Sequence, residues 1–469
     1  MILALVHAAA AAAYTLVDSG VRAQGRAGAF VAGADDVSAQ WYNPAALDNV
    51  PGGQVKLDLW AASQSAAFDR EDILGTEPFG RAVTSADPVL EPAGGVVFRL
   101  GGLHPALAHT TVAIGLSVPT GSDYAWPAEG AQRYALVSAQ VRQLYAGPSV
   151  SQQITPWLVI GGSLQYTTLS VKESLVGTLC NVDEPESCGS DNPSDDVGLA
   201  ITAADLARVT GNFGVLVRPA TWLTIGASAQ PGVHFEAAGS VTSTISEDNQ
   251  TVRPVLTQAS FTDKDATVVV DLPWTVRAGA EAKIGERVEL ELDGTWTGWS
   301  ETRSLRVTDL DLALETLPDG PLLGKDILVT DDVELATGFQ DSWSVRLGGE
   351  VAATPWLDVR AGVYGETGAT PDAMANASVV DADKLGGSLG LTVHAGKHLV
   401  IDASGLYTGF ADRTVTTSSY AQTALDVDYQ DDYRTTAGAG RTIGNGTYLS
   451  SAWVAGLGLG WQFGAPVGR

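Results

Sequence analysis

The feature that most constrains this chain is the spacing of its connections: segments of two-residue alternation are joined by tiny turns and long acidic loops in strict succession. Near the end of the chain Leu449, Trp453, Ala455, Leu457, Leu459, Trp461 and Phe463 share one face, and Ser450, Gly456, Gly458, Gly460 and Gln462 the other. Val288, Leu290, Leu292 and Trp296 oppose Glu289, Glu291 and Asp293 in the same way. Trp343, Val345, Leu347 and Val351 oppose Ser344, Arg346 and Glu350, and Leu357, Val359, Ala361 and Val363 oppose Asp358, Arg360, Tyr364 and Glu366. A period of two marks β-strands with one apolar face. That face could be the core of a sandwich or the lipid-facing skin of a membrane barrel, and alternation alone does not choose.

The connections do. Fourteen strands are expected, starting near residues 54, 93, 110, 139, 157, 205, 222, 266, 287, 342, 357, 386, 398 and 449. Thr155-Pro156, Pro219-Ala220-Thr221, Gly285-Glu286, Thr354-Pro355 and Gly396-Lys397 are short turns. The loops between them are long: residues 173–204 hold seven acids and no Lys or Arg, and residues 303–340 hold eight acids. Short turns at one rim and long loops at the other belong to outer-membrane barrels, and an even strand count returns both ends to the periplasmic side. Trp157, Trp222 and Trp356 each begin a strand just after a short turn, while Trp274, Trp343, Trp453 and Trp461 lie toward other strand ends, as an interfacial aromatic girdle requires. The expected fold is all-β: a 14-stranded antiparallel transmembrane barrel plugged by a small N-terminal helical hatch.

Charge and hydropathy narrow the alternatives. A net charge of −27 argues against a nucleic-acid partner, since phosphate must be neutralised by Lys and Arg. After the N-terminus no apolar run reaches the ~18 residues a membrane helix needs, so a membrane location implies a closed barrel. Residues 1–13, ending in an alanine run suited to signal peptidase, are expected to be a signal peptide. Residues 14–50 read as the hatch, 51–463 as the barrel and 464–469 as a short periplasmic tail. Within the hatch Asn43-Pro44 is a helix start, Asn accepting from a free N–H and Pro preset for the first helical position.

The stretch from Gly20 to Leu47, GVRAQGRAGAFVAGADDVSAQWYNPAAL, resembles the N-terminal hatch of the FadL-type transporters of long-chain fatty acids and hydrocarbons. Its most specific element is Trp41, Tyr42, Asn43, Pro44, Ala45 and Ala46, with Ala46 where that family has Gly. VPTGSDYAW (Val118 to Trp126), the pair Arg133-Tyr134, DLPWTVRAGAE (Asp271 to Glu281), GFQDSWSVRLGGE (Gly338 to Glu350) and the strand ending at Phe463 are similar as well, in the same order. The resemblance implies a hatch-closed barrel of fourteen strands that captures a hydrophobic small molecule among its outer loops. The ligand then passes to a lumen pocket near the mature N-terminus and escapes through the wall. By position it puts Tyr14, Leu16, Val17 and Phe30 near that pocket. The expected partners are the ligand, outer-membrane lipids and lipopolysaccharide, with the chain acting as a monomer. Fatty acid and aromatic hydrocarbon remain open as substrates, and a diffusion porin for polar solutes or a surface adhesin are the rival functions.

No cofactor or metal is expected, and no catalysis. Gly386-Gly387-Ser388-Leu389-Gly390 spells G-x-S-x-G, but a nucleophile elbow needs a strand-to-helix turn. Ser388 and His394 share a face yet stand roughly 20 Å apart along an extended strand. The acidic loop after Asn181 could hold Ca²⁺ but reads more readily as a solvated loop. In an oxidising compartment Cys180 and Cys188 are expected to form a disulfide. Arg22 and Arg26, the basic residues of the hatch, should meet at least one of Glu289, Glu291, Glu350 and Asp358 on the wall, because buried charges need partners. A lateral opening is expected at the third strand, where Gly115, Pro119 and Gly121 weaken the ladder.

Overall fold

Outward Leu and inward Lys, Asp and Gln alternate along one strand after another, and the only closed surface that satisfies such strands in lipid is a barrel. The computed structural model describes residues 18–71, 80–85, 87–181, 191–193, 196–245, 260–309, 312–314, 318–319, 327–329, 333–427 and 435–464. The wall is a closed antiparallel sheet of 14 strands. They are β1 (Gly53–Arg70), β2 (Val89–Arg99), β3 (Thr110–Ala125), β4 (Ser138–Thr155), β5 (Leu158–Asn181) and β6 (Asp196–Ala220). β7 runs through Leu223–Gln230 and Val233–Ile245, and β8 through Ser260–Leu272 and Thr275–Ile284. β9 (Val288–Thr297) continues as Ser304–Thr308, and β10 (Ser342–Thr354) is preceded by Val333–Ala336. β11 (Leu357–Glu366), β12 (Lys384–Ala395), β13 (Leu399–Phe410, with Arg413–Val415) and β14 (Gly446–Phe463) complete the circuit. β14 closes on β1 without a break, from Gly53 opposite Phe463 to Arg70 opposite Gly446.

The apolar skin is short. Leu57, Leu59, Leu290, Leu292, Leu457 and Leu459 are exposed on the outside, where lipid would cover them. Trp157, Trp222, Trp356 and Trp461 are exposed at the short-turn rim, and Trp274, Trp343 and Trp453 at the opposite edge of the band. On β14 the band from Trp453 to Trp461 is nine residues, the length a tilted strand needs to cross the hydrocarbon.

Several strands continue well past that band. β5 and β6 extend into the 173–204 stretch that the sequence assigns to loop, because Leu175, Val197, Leu199 and Ile201 keep the alternation going and all four are buried. The 303–340 stretch is likewise partly strand, at Ser304–Thr308 and Val333–Ala336. These extensions fold over an apolar interior that includes Leu169, Val171, Phe235, Val241, Val268, Val270 and Trp299. The outer half of the lumen is therefore oily, where a diffusion porin has a polar one.

The other half is filled by the N-terminal segment. Its elements are α1 (Val21–Gln24), α2 (Ala39–Tyr42) and a 3-10 turn at Pro44–Asn49. Nearly every residue from Ser19 to Val50 is buried, with Phe30, Ala45, Ala46, Leu47 and Val50 packing on Val97, Ala113, Val159 and Leu216 of the wall. Among the described residues no helix is long and apolar enough to cross a membrane.

Candidate functional site

The plug is held by charge rather than by apolar packing alone. Arg26 Nη2 lies 2.9 Å from Glu291 and 3.6 Å from Glu281. Arg22 Nη2 lies 3.0 Å from Glu350 and the same distance from Asp35. Lys56 of β1 sits among Asp36 of the plug, Asp58 at 3.5 Å and Asp402 at 3.1 Å. Burial pushes the Asp35 carboxyl up to about 6, against the pull of Arg22. Burial would raise Asp36 too, but Lys56 and the Ser38 hydroxyl outweigh it and hold that carboxyl below its usual range.

Two wall carboxylates also grip the plug backbone. Glu291 accepts from the N–H of Ala32 at 2.6 Å and of Gly33 at 3.2 Å. Asp293 accepts from Phe30 at 2.7 Å and Val31 at 3.0 Å. Two of the expected wall carboxylates do not reach the plug. Glu289 is near the rim and pairs with Lys283 of the neighbouring strand at 3.0 Å, and Asp358 pairs with His394 at 2.7 Å. Glu281, Asp293 and Lys56, none of them expected from the sequence as plug contacts, take part as well; their place on the inward-facing period was the available signal.

The Trp-Tyr-Asn-Pro-Ala element is a structural joint. Asn43 Oδ1 accepts from Ala45 N at 3.1 Å, and Nδ2 donates to Val31 O at 3.0 Å and to Val215 O of β6 at 3.1 Å. Pro44 occupies the first position of the following 3-10 turn, and the Ala45 carbonyl accepts from Ser151 of β4 at 2.9 Å. A Cβ on Gly161 would lie 2.3 Å from Ala45 N, and one on Gly362 would lie 2.3 Å from the Arg26 carbonyl carbon, so only glycine lets plug and wall backbones meet there. Asn43→Ala leaves two buried carbonyls and one N–H without their partner, a cost of about 1–3 kcal/mol. Amide exchange over residues 31–46 is expected to quicken by about ten- to a hundredfold; unchanged exchange would show that Asn43 is not the joint.

Above the plug lies a cavity of about 140 Å³. Trp41 and Tyr42 form its floor, Tyr145, Val141, Leu169, Val233, Leu272 and Trp299 its sides, and Arg277 and Arg346 its polar wall. Arg346 pairs with Asp18 and lies 3.7 Å from Glu366. Arg277 differs: it is buried, its guanidinium stands 5.2 Å from the Trp41 ring, and among the described residues no carboxylate lies within ion-pair distance of it. Its Nη1 is buried without a hydrogen-bond partner, as is the Tyr42 hydroxyl. Phe30 does not line this cavity, because its N–H is tied to Asp293 and its ring packs edge-on against Tyr42 at 5.7 Å. Tyr14, Leu16, Val17 and Cys188 lie outside the described residues, as do residues 1–13.

Beside the cavity the wall comes apart. β2 pairs with β3 from Arg99–Thr111 to Gly94–Leu116 and again at the single bridge Ser85–Ala125; among the described residues between these points the two strands make no pairing. β3 also slips register against β4 between Ser117 and Thr120. Pro92 and Pro119 have no N–H to offer in this stretch. Gly115 is not part of the interruption: it is paired on both sides, to Gly95 and Gly147, and its missing side chain leaves room for Gln40 of the plug. Gly121 pairs with Arg142 of β4 but has no partner on β2.

Comparisons with known proteins agree with this architecture. The family described as outer membrane protein transport protein (OMPP1/FadL/TodX) matches residues 2–463. A FadL homologue of Pseudomonas aeruginosa superposes with a TM-score of 0.74 at 18% identity, over 96% of this chain and 99% of that one. The CymD monoaromatic hydrocarbon channel gives 0.64 at 14% identity, over 96% and 99%. The Ralstonia pickettii toluene transporter TbuX gives 0.61 at 14%, over 95% and 98%. At these identities the likeness is one of fold. Among curated proteins no match is found.

Proposed function

The chain belongs to the outer membrane protein transport family (OMPP1/FadL/TodX), whose members are outer-membrane channels for hydrophobic compounds, and from that premise we propose that it takes up long-chain fatty acids. The observation that carries this reading is Arg277, a buried guanidinium with no carboxylate within ion-pair distance among the described residues, in a chamber whose other charged groups, Asp18, Arg346 and Glu366, are engaged with one another. A buried cation left unpaired is costly, and a carboxylate arriving from outside would supply the missing partner. A hydrocarbon brings no anion, and an aromatic one offers at most a cation–π contact of about 0.5–2 kcal/mol. The tail would then lie along Val141, Leu169, Val233 and Leu272 toward the oily outer half of the lumen.

The test is binding to purified protein of a long-chain acid, its methyl ester and toluene, in wild type and in Arg277→Ala. A hydrogen bond to a charged group contributes about 1.5–3 kcal/mol, so the variant should bind the acid roughly ten- to a hundredfold more weakly, with a clearly smaller loss for the ester and toluene, which bring no negative charge. Equal loss for all three, or none for the acid, would overturn the reading. One observation favours an aromatic hydrocarbon instead: a cavity of about 140 Å³ is close to the ~150 Å³ that holds benzene in an engineered apolar core. That reading wins if toluene binds tightly and the acid does not.

Exit is proposed to be sideways, through the interruption between β2 and β3 that borders Pro119 of the cavity. Releasing a chain of ~15 methylenes into water costs on the order of 12 kcal/mol, while passing it into the bilayer costs little. With the inner half of the barrel filled by a charge-clamped plug, the wall is the cheaper way out.

A further inference from the structure

The wall has a second interruption, four strands further round. β6 pairs with β7 from Ala220–Leu223 to Phe213–Ala229, then stops, and resumes from Ala204–Ala238 to Val197–Ile245. The register is the same below and above, so residues 205–212 face residues 230–237 one for one with no ladder between them. Between β6 and β7 this is an eye rather than a slip, while on its other edge β6 shifts register against β5 between Asp205 and Arg208. Pro231 lies within it and cannot donate.

What spans the eye is side chain. Arg208 Nη2 reaches Glu236 at 3.0 Å, the Asp205 carboxylate accepts from Glu236 N at 3.0 Å, and Thr210 Oγ1 donates to the Pro231 carbonyl at 3.4 Å, while Arg208 Nε meets Asp205 of its own strand at 2.5 Å. Arg208 and Glu236 are partly exposed, while Asp205 is mostly buried. Such a pair contributes little as a bond, on the order of 0–1 kcal/mol, and opens readily.

The eye also connects two spaces. Gln230, Pro231 and Val233 line the lumen cavity, and Pro231 with Gly232, Val209, Thr210 and Phe213 lines an apolar groove on the lipid-facing side. That groove extends across β5, β4 and β3 to Val96 and Phe98 of β2, beside the first interruption. The four strands β3 to β6 thus form a panel detached from its neighbours along part of both edges.

We propose that the eye between β6 and β7 is a second lateral port, through which a single long acyl chain passes between the lumen cavity and the outer leaflet. The port rests on the fatty-acid uptake reading above. Two parallel openings on one cavity share the flux, and closing one leaves the other running.

The test uses full-length protein lacking Cys180 and Cys188, reconstituted at equal amounts of folded barrel, with Arg208→Cys and Glu236→Cys joined by a bifunctional thiol reagent. Neither residue lines the cavity, so acid binding should be unchanged throughout. Before bridging, uptake should match or exceed that of the parent; bridging should cut it to about half, as for one of two comparable gates. When the edge between β2 and β3 is closed as well, with Ala93→Cys and Ser117→Cys oxidised, bridging should bring uptake to background. Bridging without effect in both backgrounds would overturn the port, as would background uptake from closing the β2–β3 edge alone. A protein that binds and takes up toluene but no acid overturns the fatty-acid reading instead, and the same bridge read with toluene then decides the port separately.

Discussion

Replacing Glu291 by alanine is expected to turn a closed channel into a leaky one. This carboxylate is fully buried and holds Arg26 together with the N–H groups of Ala32 and Gly33. Its removal leaves the Arg26 guanidinium buried with Glu281 at 3.6 Å as its nearest acidic partner. Breaking a buried pair by deleting one member typically costs about 3–5 kcal/mol. Asp293 still holds Phe30 and Val31, so the plug should loosen rather than leave. Vesicles carrying the variant should admit small sugars at least about tenfold faster than wild type, the change that ~1.4 kcal/mol of plug stability produces. Glu291→Gln, which keeps an acceptor for Ala32 but drops the charge, should fall between. A variant as tight to sugars as wild type would mean that the clamp between plug and wall is not what seals the barrel.

The barrel was legible in the sequence because its two strongest constraints are local. Period-two alternation is written residue by residue, as in Leu457, Leu459 and Trp461, and turns such as Thr354-Pro355 fix where a strand must reverse. The acidic stretch 173–204 reads as loop in the sequence, but the ends of β5 and β6 continue into it because Leu175 and Val197 pack on other strand extensions, contacts that no local pattern reports. The contacts of Arg22 and Arg26 followed from the need to partner buried charge, but the choice of partner did not. Glu289 and Glu291 lie on one face two residues apart, and only depth in the barrel sends one to Lys283 and the other to the plug.

The cavity was the least legible part. Trp41, Tyr145, Leu169, Pro231, Arg277 and Trp299 are far apart in the chain and meet only once the barrel has closed. Phe30 packs its ring against Tyr42, and its neighbour Val31 lines the cavity instead. Of the two wall interruptions, the one at β3 was announced by Pro119. The one at β6 was not, because β6 and β7 keep the same register on either side of it and Gln230-Pro231-Gly232 reads as a brief pause within a strand.

The most direct test of the account compares fatty-acid uptake with the plug pinned and with the wall closed. Ala45→Cys with Ser151→Cys joins plug to wall where the Ser151 hydroxyl meets the Ala45 carbonyl at 2.9 Å. Ala93→Cys with Ser117→Cys joins β2 to β3 at the first facing positions beyond the Gly94–Leu116 pair. Both pairs are placed in protein lacking Cys180 and Cys188, and uptake is read oxidised and reduced. Pinning the plug should leave uptake unchanged, whereas closing the wall should cut it to about half or below, as gating of a rate-limiting exit would, with acid binding intact and full recovery on reduction. Uptake that stops when the plug is pinned, and continues at the full rate when the wall is closed, would contradict this and place the route through the plug.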